Sequence, residues 1–153
     1  MSADSSAGIV CYPCLTYADP DAAMAFLLEA FGFESHAVYR NEAGRVQHAE
    51  IVRDGVMLMI GPPNQAAGWD AASRLPQRHA SLYMYVPGDV DALCARAWEA
   101  GAVITRPPCD TPHGSREFSV RDPEGQEWHF GNYHPLAMRT SAVAQASEPV
   151  SAS

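Results

Sequence analysis

Hydrophobic and polar positions along this chain change between a strand-like and a helix-like period, as is typical of a mixed α and β structure. An apolar run over 9–17 predicts a buried strand, and Asp19 followed by Pro20 predicts the start of a helix. That helix is predicted to end at Gly32, a residue type that favours the left-handed conformation found at helix ends. Later apolar runs predict three strands, over 33–39, 45–53 and 56–60.

The same order of elements then occurs a second time. A segment with several prolines and Gly68 over 62–78 is interpreted as a linker, and a strand is predicted over 79–86. Asp89 predicts the start of a second helix and Gly101 its end. Three more strands are predicted, near 103–105, 116–121 and 127–131.

The two series of elements overlay with an offset near 70 residues, and Gly101 follows Gly32 by 69 (101 − 32). Asp89 follows Asp19 by 70 residues (89 − 19), and His129 follows Met59 by the same number (129 − 59). An internal repeat of one βαβββ unit explains this offset, since a fixed period is the mark of repeated structure. The alternative is that two unrelated α+β segments happen to share their spacing.

Composition is consistent with a single domain. Hydrophobic residues make up 47% of the 153 positions, enough for one core, and we expect the domain to occupy 9–134. Its two modules are predicted at about 9–61 and 79–134. The ends, 1–8 and 135–153, are rich in Ser and Ala without hydrophobic periodicity, so they are expected to be flexible.

The charge of the chain narrows the list of partners. The net charge is −8, whereas nucleic acids and anionic membranes attract clustered Lys and Arg, so neither is expected as a partner. The first residues lack the features of a secretory signal, and no apolar run reaches the roughly 18–20 residues that span a bilayer. We therefore expect a cytoplasmic protein whose four cysteines are reduced.

One stretch of the second half resembles a known family. The residues GSREFSVRDPEG over 114–125, with Trp128 and the pair Phe130-Gly131, are similar to the end motif of the vicinal oxygen chelate superfamily. This is the glyoxalase/bleomycin-resistance superfamily, and the resemblance is to its PhnB-like branch. It implies an α+β fold in which two sequential βαβββ modules form an open barrel around a cavity, and it implies a homodimer.

The resemblance also implies where a metal ion would bind. Metal-dependent members carry one ligand near the end of the first strand and one on the last strand of each module. Counting along this sequence puts those places at Tyr12, Ser81 and His129, with the fourth at Leu58 or Met59. Only His129 is a good ligand, and a catalytic site needs about three protein ligands, so we expect no cofactor.

A rearranged metal site is the alternative. Divalent zinc, nickel, manganese or iron would then be held by a different set of side chains, which are His48, Glu50, His79 and His129. His48 and Glu50 are two residues apart in a predicted strand and therefore share a face. If that face lines the cavity, Glu50 is a candidate general base and His48 its partner. The alternative is a polar strand face in contact with solvent.

Other side chains are candidates for contact with a ligand. Arg116 and Glu117 alternate in a predicted strand, so one of them faces the cavity, and an inward Arg116 would bind an anionic group. A cross-strand ion pair explains Arg116 equally well. Aromatic side chains on cavity strands suit flat organic ligands, although such residues also fill cores. The candidate ligand-binding residues are Tyr12, Tyr83, Arg116, Trp128 and His129.

The Cys11-Tyr12-Pro13-Cys14 segment has the spacing of a dithiol motif but a different context. Thioredoxin-type pairs stand where a strand turns into a helix, whereas the helix here begins several residues later. Residues three apart in a strand face opposite sides, which argues against a disulfide and against a zinc site shared with Cys109 and His113.

Two functions from different classes remain open. The first is a metal-independent protein that binds a small organic ligand, with an antibiotic among the candidates. The second is a metal-dependent lyase, isomerase or dioxygenase of glyoxalase type, in which Glu50 or Glu127 moves a proton. Fold resemblance alone does not choose between them.

Overall fold

The computed structural model describes residues 8–63, 80–112 and 114–137. Most of the predicted linker, His79 and the segment beyond 137 lie outside the described residues. The described elements alternate in the order that the sequence predicts. In chain order they are β1 (Cys14–Thr16), α1 (Pro20–Phe31), β2 (Glu34–Arg40), β3 (Val46–Arg53), β4 (Val56–Gly61), β5 (Leu82–Tyr85), α2 (Val90–Glu99), β6 (Val103–Asp110), β7 (Arg116–Arg121) and β8 (Glu127–Gly131).

Each half of the chain builds a four-stranded sheet. The strand orders are β1-β4-β3-β2 in the first sheet and β5-β8-β7-β6 in the second. In both, the first strand of the half runs parallel to the last strand, and the remaining pairs are antiparallel. The predicted α+β fold of two βαβββ halves is therefore confirmed, as two four-stranded sheets.

Capping residues fix where both helices begin and where α1 ends. The side chains of Asp19 and Asp89 accept hydrogen bonds from the backbone N–H groups three residues later, at Ala22 and Ala92. Gly32 ends α1 in the left-handed conformation, with a φ of 73°. Neither helix approaches the length of a bilayer span, and no helix in the described ranges is long and apolar enough to cross one.

Strand ends differ from the prediction in three places. β1 begins at Cys14, five residues later than expected, and β5 begins at Leu82. β6 is longer than predicted and continues to Asp110 through Pro107 and Pro108. Proline lacks the N–H needed inside a sheet, but β6 is an edge strand whose pairing with β7 shifts register between Arg106 and Cys109. The edge position and the irregularity therefore accommodate both prolines.

Aromatic side chains join the two halves into one core. The ring of Phe31, at the end of α1, lies 5.1 Å from that of Trp128 and 4.8 Å from that of Phe130, both on β8. Phe33 packs on Trp128 from the same side, at 6.4 Å between ring centroids. All four side chains are buried. The first half therefore places its aromatic residues on the inner face of the second sheet.

A turn of the second half also packs on the first half. The turn between β7 and β8 includes Asp122 and Glu124. The Oε1 and Oε2 atoms of Glu124 accept hydrogen bonds from the backbone N–H groups of Ala18 and Asp19, at 2.7 and 3.0 Å. Asp122 is buried, and its carboxylate accepts a hydrogen bond from Tyr17. Both carboxylates of this turn thus hold the entry to α1.

Candidate functional site

Each sheet has one face on the core and one open face. Strand alternation places Ile51 and Leu58 in the core, and their neighbours in sequence on the open side. The open face of the first sheet carries Cys14, Tyr39, His48, Glu50, Met57 and Met59. The open face of the second carries Tyr83, Tyr85, Glu117, Ser119, Glu127 and His129.

Strand pairing identifies equivalent positions in the two sheets. Cys14 on β1 is directly opposite Met59 on β4, and Tyr83 on β5 is directly opposite His129 on β8. Counting along the sequence placed the family's first-strand ligand positions at Tyr12 and Ser81. Both of those residues precede their strands and are exposed, so Cys14 and Tyr83 occupy these positions instead.

This set of four does not fit the divalent ion that the resemblance implies. Cys14, Met59, Tyr83 and His129 include no carboxylate and only one imidazole, whereas zinc, manganese and iron sites are built from His, Asp, Glu and Cys. In the described ranges, no three His, Cys, Asp or Glu side chains form a group that would hold a metal. The structure therefore does not bring His48, Glu50 and His129 together as the alternative metal site. His79, the fourth residue of that site, lies outside the described residues.

His129 is held by its neighbours on the open face of the second sheet. Its Nδ1 lies 2.7 Å from the hydroxyl of Ser119, which is itself buried. Its Nε2 lies 3.6 Å from Oε1 of Glu127. Hydrogen bonding at one ring nitrogen fixes the orientation of the imidazole and decides what the other nitrogen offers. Ser119 therefore positions His129, a role that the sequence did not reveal.

His48 and Glu50 share a face, as the alternation of β3 predicts. The Nε2 atom of His48 is 3.4 Å from Oε2 of Glu50, and the ring of His48 lies against that of Tyr39, 5.8 Å away between centroids. The side chain of Glu50 is only 20% exposed. This arrangement gives the open face of the first sheet a partly buried carboxylate beside an imidazole.

Glu117, rather than Arg116, belongs to the open face of the second sheet. Its side chain is 14% exposed and accepts hydrogen bonds from Arg106 at 2.9 Å and from the Ser115 hydroxyl at 3.1 Å. Partial burial, followed by the nearby charge of Glu117, raises the pKa of Tyr83. The phenol of Tyr83 donates a hydrogen bond to the carbonyl of Tyr133 at 2.7 Å.

Arg116 points to the other side of β7. Its guanidinium binds Asp91 of α2 at 2.6 Å and Asp110 of β6 at 3.1 Å. Through hydrogen bonds, the two carboxylates raise the pKa of Arg116, and the guanidinium lowers the pKa of Asp91. Of the two interpretations of Arg116, the structure therefore supports the ion pair and not the binding of an anionic ligand group.

Two other candidate ligand contacts also lie away from the open faces. Trp128 is 0% exposed and donates its indole N–H to Asp122, so it is a core residue. Tyr12 lies before β1 and is exposed. Among the candidate ligand-binding residues, the structure places Tyr83 and His129 side by side and leaves the other three elsewhere.

A cavity of about 320 Å³ borders Tyr83. It lies between the free edge of β5 and the turn that joins β3 to β4, and most of its wall is apolar or aromatic. The residues that shape it include Arg53, Val56, Tyr83, Tyr85, Pro87 and Phe130. The sequence identified Tyr83, but it gave no sign that the Asp54-Gly55 turn of the first half would come to lie there. Two smaller cavities, of about 170 and 140 Å³, border Asp122 and Met59 respectively.

Comparisons with known proteins agree with this architecture. The model of the Glyoxalase/Bleomycin resistance protein/Dioxygenase superfamily matches residues 10–130. The structure of TioX from Micromonospora sp. ML1 is 30% identical, with a TM-score of 0.63, over 80% of this chain and 94% of TioX. A glyoxalase-related enzyme from Fulvimarina pelagi is 26% identical, with a TM-score of 0.61, over 84% of this chain and 89% of that one.

A third similar structure is called a lactoylglutathione lyase, from Agrobacterium tumefaciens. It is 23% identical, with a TM-score of 0.57, over 83% of this chain and 95% of that one, so its similarity concerns the fold alone. A search of curated proteins finds no significant match.

Proposed function

Since the chain belongs to the Glyoxalase/Bleomycin resistance protein/Dioxygenase superfamily, we propose that it binds a small aromatic or amphipathic organic ligand without a metal ion. The observation that carries this proposal is the cavity of about 320 Å³ beside Tyr83 and Tyr85. Its volume is at the lower end of the range of about 300–1,000 Å³ that small-molecule sites occupy. An antibiotic is one class of ligand with suitable chemistry.

The walls of the cavity suit a flat apolar group. Tyr85 packs against the ring of His134 at 4.4 Å between centroids, and Phe130 stacks on Phe118 at 5.2 Å, so both rings are held by neighbours. Rigid aromatic walls bind ligands at a low cost in side-chain entropy. Tyr83 adds a phenol at the rim of the cavity, and this polar group would orient the ligand. His129 lies directly opposite Tyr83 in the sheet but does not line the cavity.

We also propose that the protein belongs to the PhnB-like branch of the superfamily and that it forms a homodimer. The branch assignment is supported by the end motif over 114–125. The dimer is supported by exposed aromatic and aliphatic side chains. They lie at one end of the first half and on both open faces, and exposed apolar groups in such numbers often mark contact surfaces. They are Ile9, Val10, Tyr12, Tyr39, Tyr83 and Tyr85. Sedimentation equilibrium of the full chain tests this part of the proposal.

A ligand screen with the metal-free protein tests the proposed function. Aromatic antibiotics and metabolites are added to chelator-treated protein, and the melting temperature is measured. A ligand that raises it should bind saturably in calorimetry and be recovered unchanged. Tyr85→Ala should weaken binding by about tenfold or more, which corresponds to about 1.4 kcal/mol.

Trp98→Ala is the matched control, because Trp98 is an exposed aromatic residue on α2 outside the cavity. Equal losses in both variants, or a panel without any stabilising ligand, would contradict the proposal. Conversion of a ligand by the protein, lost in Glu50→Gln, would favour the catalytic alternative, for which the half-buried pair of Glu50 and His48 is the supporting observation.

A further inference from the structure

One arginine in the wall of the cavity beside Tyr83 has no close carboxylate partner among the described residues. Arg53, the last residue of β3, lines that cavity, and its side chain is 32% exposed. Its Nε lies 3.8 Å from the carboxylate of Asp54, which is longer than a hydrogen bond. Four other arginines of the described chain have a carboxylate oxygen within 3.0 Å, and they are Arg40, Arg45, Arg106 and Arg116. Arg53 therefore retains donors that those arginines use.

The fold explains which donors of Arg53 remain. Arg53 is two residues beyond Ile51, which is buried, so strand alternation directs both side chains to the side of the core and α1. There, Nη1 of Arg53 donates a hydrogen bond to the backbone carbonyl of Phe31. The end of a helix attracts positive charge, so this bond helps to cap α1. The edge formed by Nε and Nη2 carries no hydrogen bond to a described group.

A second guanidinium group adds positive charge at the same place. Arg96 of α2 donates hydrogen bonds to the backbone carbonyls of Glu29 and Leu28 in α1, at 2.7 and 3.3 Å. A Cβ atom at Gly32 would lie 3.1 Å from Nη1 of Arg96 and 3.4 Å from Nη1 of Arg53. These two nitrogen atoms are therefore at most 6.5 Å apart (3.1 + 3.4). Two cations at such a distance repel each other, and an anion beside them would relieve the repulsion.

The cavity thus has aromatic walls and positive charge at one end. A carboxylate is planar and accepts two parallel hydrogen bonds from the edge of a guanidinium group. We propose that the ligand of this cavity is an aromatic carboxylate, whose carboxyl group is bound by Nε and Nη2 of Arg53 while Arg96 adds charge nearby. The aromatic part of the ligand lies against Tyr85 and Phe130.

Asp54 also lines the cavity, and its carboxylate would repel an anionic ligand. Its side chain is 82% exposed, so water and salt screen its charge, whereas Arg53 is only 32% exposed and is screened less. The attraction to Arg53 therefore exceeds the repulsion from Asp54. Asp54→Asn should strengthen the binding of a carboxylate, and Arg53→Gln should weaken it.

The carboxylate anchor rests on the proposed function, because it requires an aromatic ligand in the same cavity. We choose 2-naphthoate and 2-naphthamide as probes, since they share a ring system and differ mainly in charge. Both are titrated into the full chain in a calorimeter. In the wild type, 2-naphthoate should bind about 10–100-fold more tightly than 2-naphthamide, the usual gain from hydrogen bonds to a charged group.

Three variants separate the charges. Arg53→Gln should remove the preference for 2-naphthoate and leave the binding of 2-naphthamide unchanged. Asp54→Asn should strengthen the binding of 2-naphthoate by about two- to fivefold, as expected for an exposed charge. Arg121→Gln is the matched control, because it removes the same charge from an exposed arginine that does not line the cavity. It should keep the wild-type preference, and an equal loss in Arg121→Gln and Arg53→Gln would overturn the assignment.

A second readout uses the wild-type protein and does not depend on how the variants fold. In isotope-labelled protein, 2-naphthoate should shift the nuclear magnetic resonance signal of the Arg53 Nε–H group, and 2-naphthamide should not. Equal binding of the two probes, weakened in Tyr85→Ala, would overturn the carboxylate anchor and leave the proposed function in place. Failure of both probes to bind would also overturn the anchor, and the proposed function would fail with it only if the aromatic panel also gave no stabilising ligand.

Discussion

The hydroxyl of Tyr17 donates a hydrogen bond of 2.7 Å to the carboxylate of Asp122, which lies in the other half of the chain. Both side chains are buried. The same carboxylate accepts hydrogen bonds from the indole of Trp128 and from the backbone N–H groups of Glu124 and Gln126. One carboxylate thus joins the end of β1 to the turn before β8.

We expect Tyr17→Phe to lower the free energy of unfolding by about 1.5–3 kcal/mol, the usual contribution of a hydrogen bond to a charged group. The change keeps the ring and removes the hydroxyl that donates to Asp122. Urea unfolding at neutral pH measures it. Tyr39→Phe is the control, because Tyr39 is 60% exposed, and it should change stability by less than about 0.5 kcal/mol. Equal effects in the two variants would show that Asp122 does not need Tyr17.

Gly131 leaves room that Glu117 and Tyr83 use. A Cβ atom at Gly131 would lie 2.5 Å from the Glu117 Cγ and 3.0 Å from the Tyr83 hydroxyl. We therefore expect Gly131→Ala to destabilise the fold by about 1–3 kcal/mol, the usual cost of overpacking. Gly88→Ala meets nothing within 4 Å and is the matched control. Thermal unfolding distinguishes them, and a Gly131→Ala protein as stable as the control would contradict the predicted crowding.

The ionisation of Tyr83 should depend on Glu117. Its pKa is raised first by burial and then by the charge of Glu117, so the phenol should ionise above its ordinary value of 10.0. The difference between ultraviolet pH titrations of the wild type and Tyr83→Phe isolates this group. Glu117→Gln should lower the pKa of Tyr83, although burial still keeps it raised. Glu127→Gln, on the same face, should leave it unchanged, and an equal shift in both variants would refute the assignment.

Asp21 should make the fold sensitive to acid. The backbone N–H of Val46 and then the side chain of Arg40 hold the pKa of Asp21 below its ordinary value of 3.8. A carboxylate with a lowered pKa stabilises the folded state above its unfolded pKa, and this contribution is lost as the pH falls through the folded value. Asp21→Asn should therefore be less stable than the wild type at pH 7. The difference should shrink below about pH 4, and a difference that is constant with pH would contradict this.

Much of the fold was predictable because its signals are local. The two Asp caps and the left-handed Gly32 each depend on a few neighbouring residues, and the structure confirms all three. The starts of β1 and β5 were not predictable in the same way. An apolar run shows that a segment can be a strand, but the partner strand decides where pairing begins.

The candidate site shows the same limit more sharply. Alternation predicted that His48 and Glu50 share a face, and it predicted that Arg116 and Glu117 do not. Alternation did not predict whether Arg116 or Glu117 lies on the open face of the sheet. That outcome depends on the ion pair of Arg116 with Asp91 on α2, which is distant in sequence. The burial of Trp128 likewise depends on Phe31, nearly one hundred residues earlier. Contacts of this range leave no trace in a local pattern.

The two junctions between the halves occupy equivalent places in the repeat, yet they differ. Beside Asp122 the turn of one half is fastened to the other by buried hydrogen bonds, whereas beside Tyr83 the corresponding turn borders an apolar cavity. No residue that lines this cavity takes part in the hydrogen bonds of Asp122. A substitution that reshapes the cavity therefore leaves the buried hydrogen bonds of the other junction in place.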